Sequence, residues 1–161
     1  MPCVLELGAD ALRDFDPLSL IAQIILEYPA LSEKRIEMYA LFSELYTNAL
    51  EHGVLGLDSH MKNSVIGMAD YYAERERRLS ALEEGSIKIH VQKAPDRNAL
   101  HIRIDDSGPG FDYESIMETE KWDINHKSTS LAGRGMTMAY ALCESIQYSG
   151  KGSCVEAVYL F

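Results

Sequence analysis

The sequence predicts an α/β protein of the α+β type, built from a β-sheet and helices packed against it. Two segments on either side of a turn at Pro95–Asn98 alternate apolar and polar residues, as the strands of a hairpin with one buried face do. A second observation is helical: Leu41, Leu45 and Ala49 recur every four residues, in a stretch that contains no Gly or Pro before Gly53. The alternating apolar residues are Ile87, Ile89 and Val91 in one strand and Leu100, Ile102 and Ile104 in the other.

Composition favours one globular domain over residues 1–161. The net charge of -10 argues against a nucleic-acid partner. Cys3, Cys143 and Cys154 are odd in number and far apart, which is typical of a reduced cytoplasmic protein. The apolar run Leu18–Leu26 is far too short to span a bilayer, so no membrane partner is expected.

Taken in order, residues 3–7 predict a first strand. Asp16 followed by Pro17 predicts the start of a helix, and Pro29 predicts its end. Ser32 with Glu33 predicts a second helix, which carries the Leu41 to Ala49 pattern. The buried stripe of the first helix is expected at Leu18, Ile21, Ile24 or Ile25, and Tyr28.

A charged insertion is predicted at about residues 58–84, between the second helix and the hairpin. Glu74 and Arg78 lie at helical spacing, and Leu79 and Leu82 give a thin apolar edge, so the segment predicts an exposed helix. The sequence leaves open whether this helix is a solvated insertion or a surface that docks a partner or a neighbouring domain.

The second half of the chain predicts a loop, a helix and a final strand. Residues 112–132 show no sustained period, and long loops of this kind are often functional lids. Gly133–Met136 opens a helix, and residues 154–161 form a last strand in the interior of the sheet. The inward stripe of that helix is expected at Met136, Ala139, Leu142, Cys143 and Ile146.

Three of these segments carry candidate chemistry. On the second helix, Glu44 and Asn48 lie one turn apart, near Glu51 and His52, and such a pair suits activation of water beside a hard cation. The turn Asp106-x-Gly108-x-Gly110 allows close approach of a ligand to the backbone. The Gly-rich helix start with Arg134 is an anion site. Taken singly, the first is more typical of a solvated helix face and the second of a plain turn.

Together, in this order, the segments resemble the GHKL ATPases, which share the ATP-binding fold of gyrase, Hsp90, histidine kinases and MutL. Glu44-x-x-x-Asn48-Ala49-x-x-His52-Gly53 resembles the N box, Asp106-x-Gly108-x-Gly110 the G1 box, and Gly133-Arg134-Gly135-Met136 the G2 box. The absence of a Gly-x-x-x-x-Gly-Lys-Ser/Thr motif excludes a P-loop enzyme.

The resemblance implies a fold, two cofactors and residue roles. The fold is the Bergerat ATP-binding fold, a two-layer sandwich of a mixed β-sheet covered on one face by helices, and the cofactors are ATP and Mg²⁺. Glu44 is then the general base, Asn48 the ligand of Mg²⁺, and Asp106 the acceptor for the adenine amino group. The other implied nucleotide-binding residues are His52, Gly108, Gly110, Lys127, Gly133, Arg134, Gly135, Met136 and Ser153.

Within that family, the motifs look most like those of bacterial anti-sigma-factor serine kinases. This implies a protein kinase that phosphorylates an anti-anti-sigma (STAS-type) protein and regulates a sigma factor by partner switching. The alternative is a nucleotide-dependent module that binds these partners without transfer. The insertion resembles variants at the end of larger regulators, which implies upstream receiver and phosphatase domains, and the Leu18–Leu26 face could pair two copies in a homodimer.

Overall fold

Five β-strands form one sheet within residues 1–118 and 135–161, the part of the chain that the computed structural model describes. In spatial order they are β1 (Cys3–Gly8), β2 (Ser86–Lys93), β3 (Ala99–Asp106), β5 (Cys154–Leu160) and β4 (Ser145–Ser149). The register sets Ile89 opposite Ile104, and Ile102 opposite Ala157. Because side chains alternate along a strand, this register collects the apolar residues on one face of the sheet.

The helices pack on that apolar face. They are α1 (Ala9–Asp14), α2 (Pro17–Glu27), α3 (Arg35–Thr47), α4 (Val65–Ser80) and α5 (Gly135–Leu142). Helix α3 lies between α2 and α5, and its buried residues share one core with the sheet. Shorter segments are a π-helix at Asn48–Val54, 3₁₀ turns at Pro29–Lys34, Ser59–Asn63 and Gly150–Gly152, and helical residues 113–118.

The opposite face of the sheet is polar. Lys88, Arg103 and Glu156 are exposed there, and Arg103 pairs with Glu156 across neighbouring strands at 2.6 Å. The sheet is therefore covered on one face, which confirms the α+β fold class.

The expectation of a mixed sheet is corrected, because all the strand pairings in the described residues are antiparallel. The tight turn at Gly150–Gly152 pairs β4 with β5 as a hairpin. Strand β4 runs parallel to β3, but β5 lies between them and is antiparallel to both. Strands β3 and β4 are therefore not neighbours in the sheet and do not form a parallel pair. The last strand, β5, is an interior strand, as expected.

Local sequence signals located most of the elements correctly. The Asp16 side chain accepts a hydrogen bond from the backbone N–H of Leu18 at 2.9 Å and caps α2, which ends before Pro29. Leu41 and Leu45 have no exposed surface and Ala49 has 5%. The apolar residues of the hairpin are all buried.

Other boundaries differ from expectation. Helix α1 and strand β4 were not predicted, and Leu18 is 53% exposed rather than buried. The segment after Pro29 is first a 3₁₀ turn, and α3 begins only at Arg35. Ile146 lies on β4 and not on the helix before it, because α5 ends at Leu142 and the alternating residues 145–149 pair with β5.

The insertion forms a 3₁₀ turn and α4, and α4 is partly buried and hydrogen-bonded to the rest of the protein, unlike a solvated helix. The predicted ion pair is present, with Arg78 Nε 2.7 Å from Glu74 Oε1, and Leu79 is buried. Arg78 also donates to the backbone carbonyls of Leu55 and Gly56. Tyr71, which the sequence did not single out, has no exposed surface.

An apolar groove of about 400 Å³ lies between α2 and α3. It is lined by Leu18, Ile21, Ile25, Ile36 and Tyr39, with Ile36 75% exposed. Pairing of two copies through this groove stays a prediction.

Candidate functional site

The candidate site is built around the point where α3 continues as a π-helix, at Asn48. Leu45 and Ala49 anchor this turn in the core, and Asn48 itself is only 4% exposed. π-Helical turns are rare and often occur at functional sites. A buried carboxamide at such a turn must satisfy its polar atoms from neighbouring elements.

Asn48 is held by residues from two other elements. Its amide nitrogen Nδ2 lies 2.8 Å from the sulfur of Met136 on α5 and 3.5 Å from Oε1 of Glu44, one turn earlier. The hydroxyl group of Tyr148 on β4 donates to the same sulfur at 3.6 Å. The contact between Asn48 and Met136 joins residues that are 88 positions apart in sequence.

The Glu44 carboxylate lies directly against the first described residue of α5. A Cβ atom added to Gly135 would be 1.8 Å from Glu44 Oε2 and 2.0 Å from Cδ, which no side chain could accommodate. Glycine at this position therefore lets the carboxylate approach the backbone of α5.

Asp106 ends strand β3 on the other side of the site. Its backbone N–H donates to the carbonyl of Ser153 at 2.8 Å, and its Oδ1 accepts from the backbone N–H of Gly108 at 2.9 Å. Burial raises the pKa of the Asp106 carboxyl to about 6, the Gly108 hydrogen bond opposes that rise, and the neighbouring Asp105 adds to it. The carboxylate keeps capacity to accept further hydrogen bonds.

Glycines enclose the Asp106 carboxylate. A Cβ on Gly53 would lie 2.5 Å from Asp106 Cγ, and one on Gly108 would lie 2.1 Å from the carbonyl oxygen of Gly53. Gly110 has φ +95°, and a Cβ there would be 2.2 Å from the carbonyl oxygen of Lys151. The end of the π-helix, the Asp106 turn and the turn before β5 are thus packed backbone to backbone.

Ser153 reaches the site through its backbone. Its carbonyl receives the N–H of Asp106, while its hydroxyl donates to the carbonyl of Gly150 at 2.8 Å.

His52 is buried beside the Asp106 turn, but its ring is already bonded to the chain. Nδ1 lies 2.8 Å from the carbonyl oxygen of Leu57, and the ring centroid is 5.5 Å from that of Phe111. Burial lowers the pKa of His52, and the Leu57 bond partly offsets the effect. A neutral imidazole fixed in this way positions the turn around residues 53–57 and borders a cleft of about 380 Å³.

An aromatic cluster that the sequence did not indicate completes the site. The ring of Tyr148 stacks on Tyr113 with centroids 4.5 Å apart, and Phe111 meets it edge-on at 5.8 Å. Recognition of β4 as a strand would have found Tyr148, because Ile146 and Tyr148 alternate toward the same face.

Glu51 also takes a role that the sequence did not indicate. Its side chain is 5% exposed, pairs with Arg75 Nε at 2.9 Å and Lys62 Nζ at 3.5 Å, and accepts from the hydroxyl of Tyr71. The turn that carries Asn48 and His52 is therefore tied to the insertion through a buried carboxylate.

Lys127, Gly133 and Arg134 lie outside the described residues. In the residues that are described, no group of three or more His, Cys, Asp and Glu side chains is arranged to hold a metal ion. Within the same part of the chain, none of the helices combines the length and apolar character needed to cross a membrane. A cation here would have to be held by few protein ligands, with Asn48 the buried amide in a suitable place.

Comparison with known proteins gives one clear match. The family model of the histidine kinase-like ATPase domain matches residues 11–159, which is nearly the whole chain. No curated protein matches.

Proposed function

Because the chain belongs to the histidine kinase-like ATPase domain family, we propose that it binds ATP with Mg²⁺ and acts as a serine/threonine protein kinase. Its substrate is an anti-anti-sigma (STAS-type) protein, and transfer regulates a sigma factor by partner switching. The observation that carries the proposal is the convergence of three polar side chains: Glu44 and Asn48 are both held against the start of α5, and Asp106 is packed against the end of the π-helix at Gly53.

The Asp106 end of the site suits adenine. A partly buried carboxylate that receives one backbone N–H can still accept a hydrogen bond from an exocyclic amino group. The glycines at positions 53 and 108 let the Asp106 turn pack against the end of the π-helix, which holds the carboxylate in place. Ser153 joins this end through its carbonyl bond to Asp106.

The Asn48 end of the site suits the cation and the phosphates. Mg²⁺ prefers oxygen ligands and keeps several waters, so one amide oxygen from Asn48 is a sufficient protein contribution. When bound, the cation supplies neutralisation of phosphate charge. In this proposal Lys127, Arg134 and the backbone amides of Gly133 and Gly135 bind phosphate oxygens, and Met136 packs beside Asn48.

Glu44 is the proposed general base. Phosphoryl transfer asks the protein mainly for positioning, so the carboxylate has to orient the attacking hydroxyl group and accept its proton. Its contact with Gly135 and its 3.5 Å distance from Asn48 Nδ2 hold it beside the proposed cation position.

The test is a transfer reaction. The chain is incubated with Mg-ATP and a candidate STAS protein, and both proteins are weighed by mass spectrometry. We expect one added phosphate on the STAS protein, and a loss of about 10²–10⁴-fold in rate for Glu44→Gln with ATP affinity kept. Glu33→Gln is the matched control, because Glu33 is exposed in the turn before α3 and remote from this chemistry.

The outcomes separate the classes of function. Formation of a complex without added phosphate would support a nucleotide-dependent binding module instead of a kinase. No heat of ATP binding to folded protein would refute both.

Pairing of two copies through the α2–α3 groove, and upstream receiver and phosphatase domains, remain part of the proposal.

A further inference from the structure

The π-helical turn Asn48–Val54 carries two side chains of the proposed nucleotide site, Asn48 and His52. Its hydrogen bonding is wider than that of an α-helix: the backbone N–H of Leu55 donates to the carbonyl of Leu50, five residues earlier, at 2.8 Å. π-Helical turns are rare and occur mostly as single turns in α-helices. Because the same segment could continue α3 as a regular α-helix, contacts from other elements must select the π-helical form.

The insertion supplies such contacts at Glu51, in the middle of the turn. Glu51 is 4% exposed, and both of its carboxylate oxygens are bonded to the insertion. Oε1 accepts from the hydroxyl group of Tyr71 and lies 3.5 Å from Lys62 Nζ, while Oε2 lies 2.9 Å from Arg75 Nε. Burial raises the pKa of Tyr71 and the Glu51 hydrogen bond raises it further, so the phenol keeps its proton and is the donor.

The insertion makes a second contact just after the turn. Arg78 donates to the backbone carbonyls of Leu55 and Gly56 at 2.8 Å and 3.0 Å. The next residue, Leu57, holds the His52 ring, with Nδ1 2.8 Å from its carbonyl oxygen. The insertion therefore holds the turn at its middle and at the segment that follows it.

We propose that Glu51 is a positioning residue, through which the insertion holds Asn48 and His52 in the geometry that binds the nucleotide. This inference rests on the proposed binding of Mg-ATP. Glu51 lies three residues after Asn48 and one before His52, so a shift of its buried carboxylate moves the backbone that carries both. Because coupling between two sites is reciprocal, bound nucleotide should in turn stabilise the docked position of α4.

Tyr71→Phe tests the proposal, because it removes one donor to the Glu51 carboxylate and keeps the buried ring. The matched control is Tyr159→Phe. Both phenols are buried and both donate to a glutamate, Tyr71 to Glu51 and Tyr159 to Glu37 in the first turn of α3. Binding of Mg-ATP is measured by calorimetry, at a temperature well below the thermal melting of each variant.

We expect the Kd for Mg-ATP to rise about 3- to 10-fold in Tyr71→Phe, the equivalent of one weakened hydrogen-bonded support. In Tyr159→Phe it should stay within about twofold of the wild type. In the wild-type protein, saturating Mg-ATP should slow amide hydrogen exchange in α4 at least about threefold. That slowing should be smaller in Tyr71→Phe and unchanged in Tyr159→Phe, which a general loss of stability would not produce.

An unchanged affinity for Mg-ATP in Tyr71→Phe would overturn this inference and leave the proposed function intact. Equal weakening in Tyr71→Phe and Tyr159→Phe would also overturn it, because binding would then follow stability and not the Glu51 contact. If Tyr71→Phe does not fold, the exchange measurement on the wild type decides, and unchanged exchange in α4 would overturn the inference. If the wild-type chain binds no ATP at all, both this inference and the proposed function are wrong.

Discussion

Replacing Asp106 with asparagine should stabilise the ligand-free protein and weaken its binding of ATP. Burial raises the pKa of this carboxyl from an ordinary value of 3.8 to about 6. At about 1.4 kcal/mol per pKa unit this is a cost of about 3 kcal/mol for the ionised form, which solvent screening of a partly exposed group reduces to about 1–2 kcal/mol. Asparagine has the same shape, can still accept from Gly108, and carries no charge.

The effect has a defined dependence on pH. Since the pKa is higher in the folded protein than in the unfolded chain, the folded state binds more protons between about pH 4 and pH 6. Stability from this group is therefore fully present below about pH 4 and is lost as the pH rises to about 6. The gain from Asp106→Asn should be absent in acid and complete at neutral pH.

Thermal melts of the wild type and Asp106→Asn at about pH 4 and about pH 8 measure this difference, with an expected rise in Tm of about 2–6 °C at the higher pH only. The neighbouring Asp105 is the matched control, because the Arg103 guanidinium lowers its pKa. Asp105→Asn should lower stability at neutral pH, the opposite sign.

Nucleotide binding supplies the second half of the test. In Asp106→Asn, the side-chain NH₂ takes the place of the oxygen that would accept from the adenine amino group, and two donors cannot form a hydrogen bond. We therefore expect ATP affinity to fall about tenfold or more. Lower stability of Asp106→Asn at neutral pH would refute the burial argument, and unchanged affinity would refute the position of the adenine.

Two further substitutions probe the supports of the site. Glu51→Gln removes the buried carboxylate that pairs with Arg75 and Lys62. Urea denaturation should show that the free energy of unfolding falls by about 3–5 kcal/mol. The control is Glu76→Gln, because Glu76 pairs with the same arginine but is 69% exposed, and it should lower the free energy of unfolding by less than about 1 kcal/mol. Equal losses in the two variants would contradict the role of burial. Gly53→Ala would set a Cβ 2.5 Å from the Asp106 carboxylate, so a nucleotide titration should show at least about tenfold weaker ATP binding. Gly8→Ala, where nothing lies within 4 Å, should bind ATP like the wild type, and a normal affinity for Gly53→Ala would mean that Asp106 can move without consequence.

The sequence by itself determined the elements whose signals are local. The hairpin followed from alternation at residues 87–91 and 100–104, and α2 followed from the Asp16 cap and the Pro29 stop. The sequence did not predict β4, because this strand has only five residues. Its conformation is decided by pairing with β5, which the residues of β4 do not reveal by themselves.

The candidate site divides in the same way. The spacing of Glu44 and Asn48 and the glycines after Asp106 could be taken from the chain, because one helix face and one turn are local features. Whether these residues bind nucleotide stays a prediction. That Gly135 admits the Glu44 carboxylate and that Met136 meets Asn48 could not be predicted, since both depend on the packing of distant segments.

Glu51 shows the limit most clearly. On an ideal helix it shares a polar face with Asn48 and His52, but the chain is π-helical from Asn48 and the insertion supplies Tyr71, Arg75 and Lys62 to enclose its carboxylate. The sequence set the residue types and the helical period. Only tertiary packing decided which partner each polar side chain meets, because burying a charged group is favourable only where distant segments bring compensating partners.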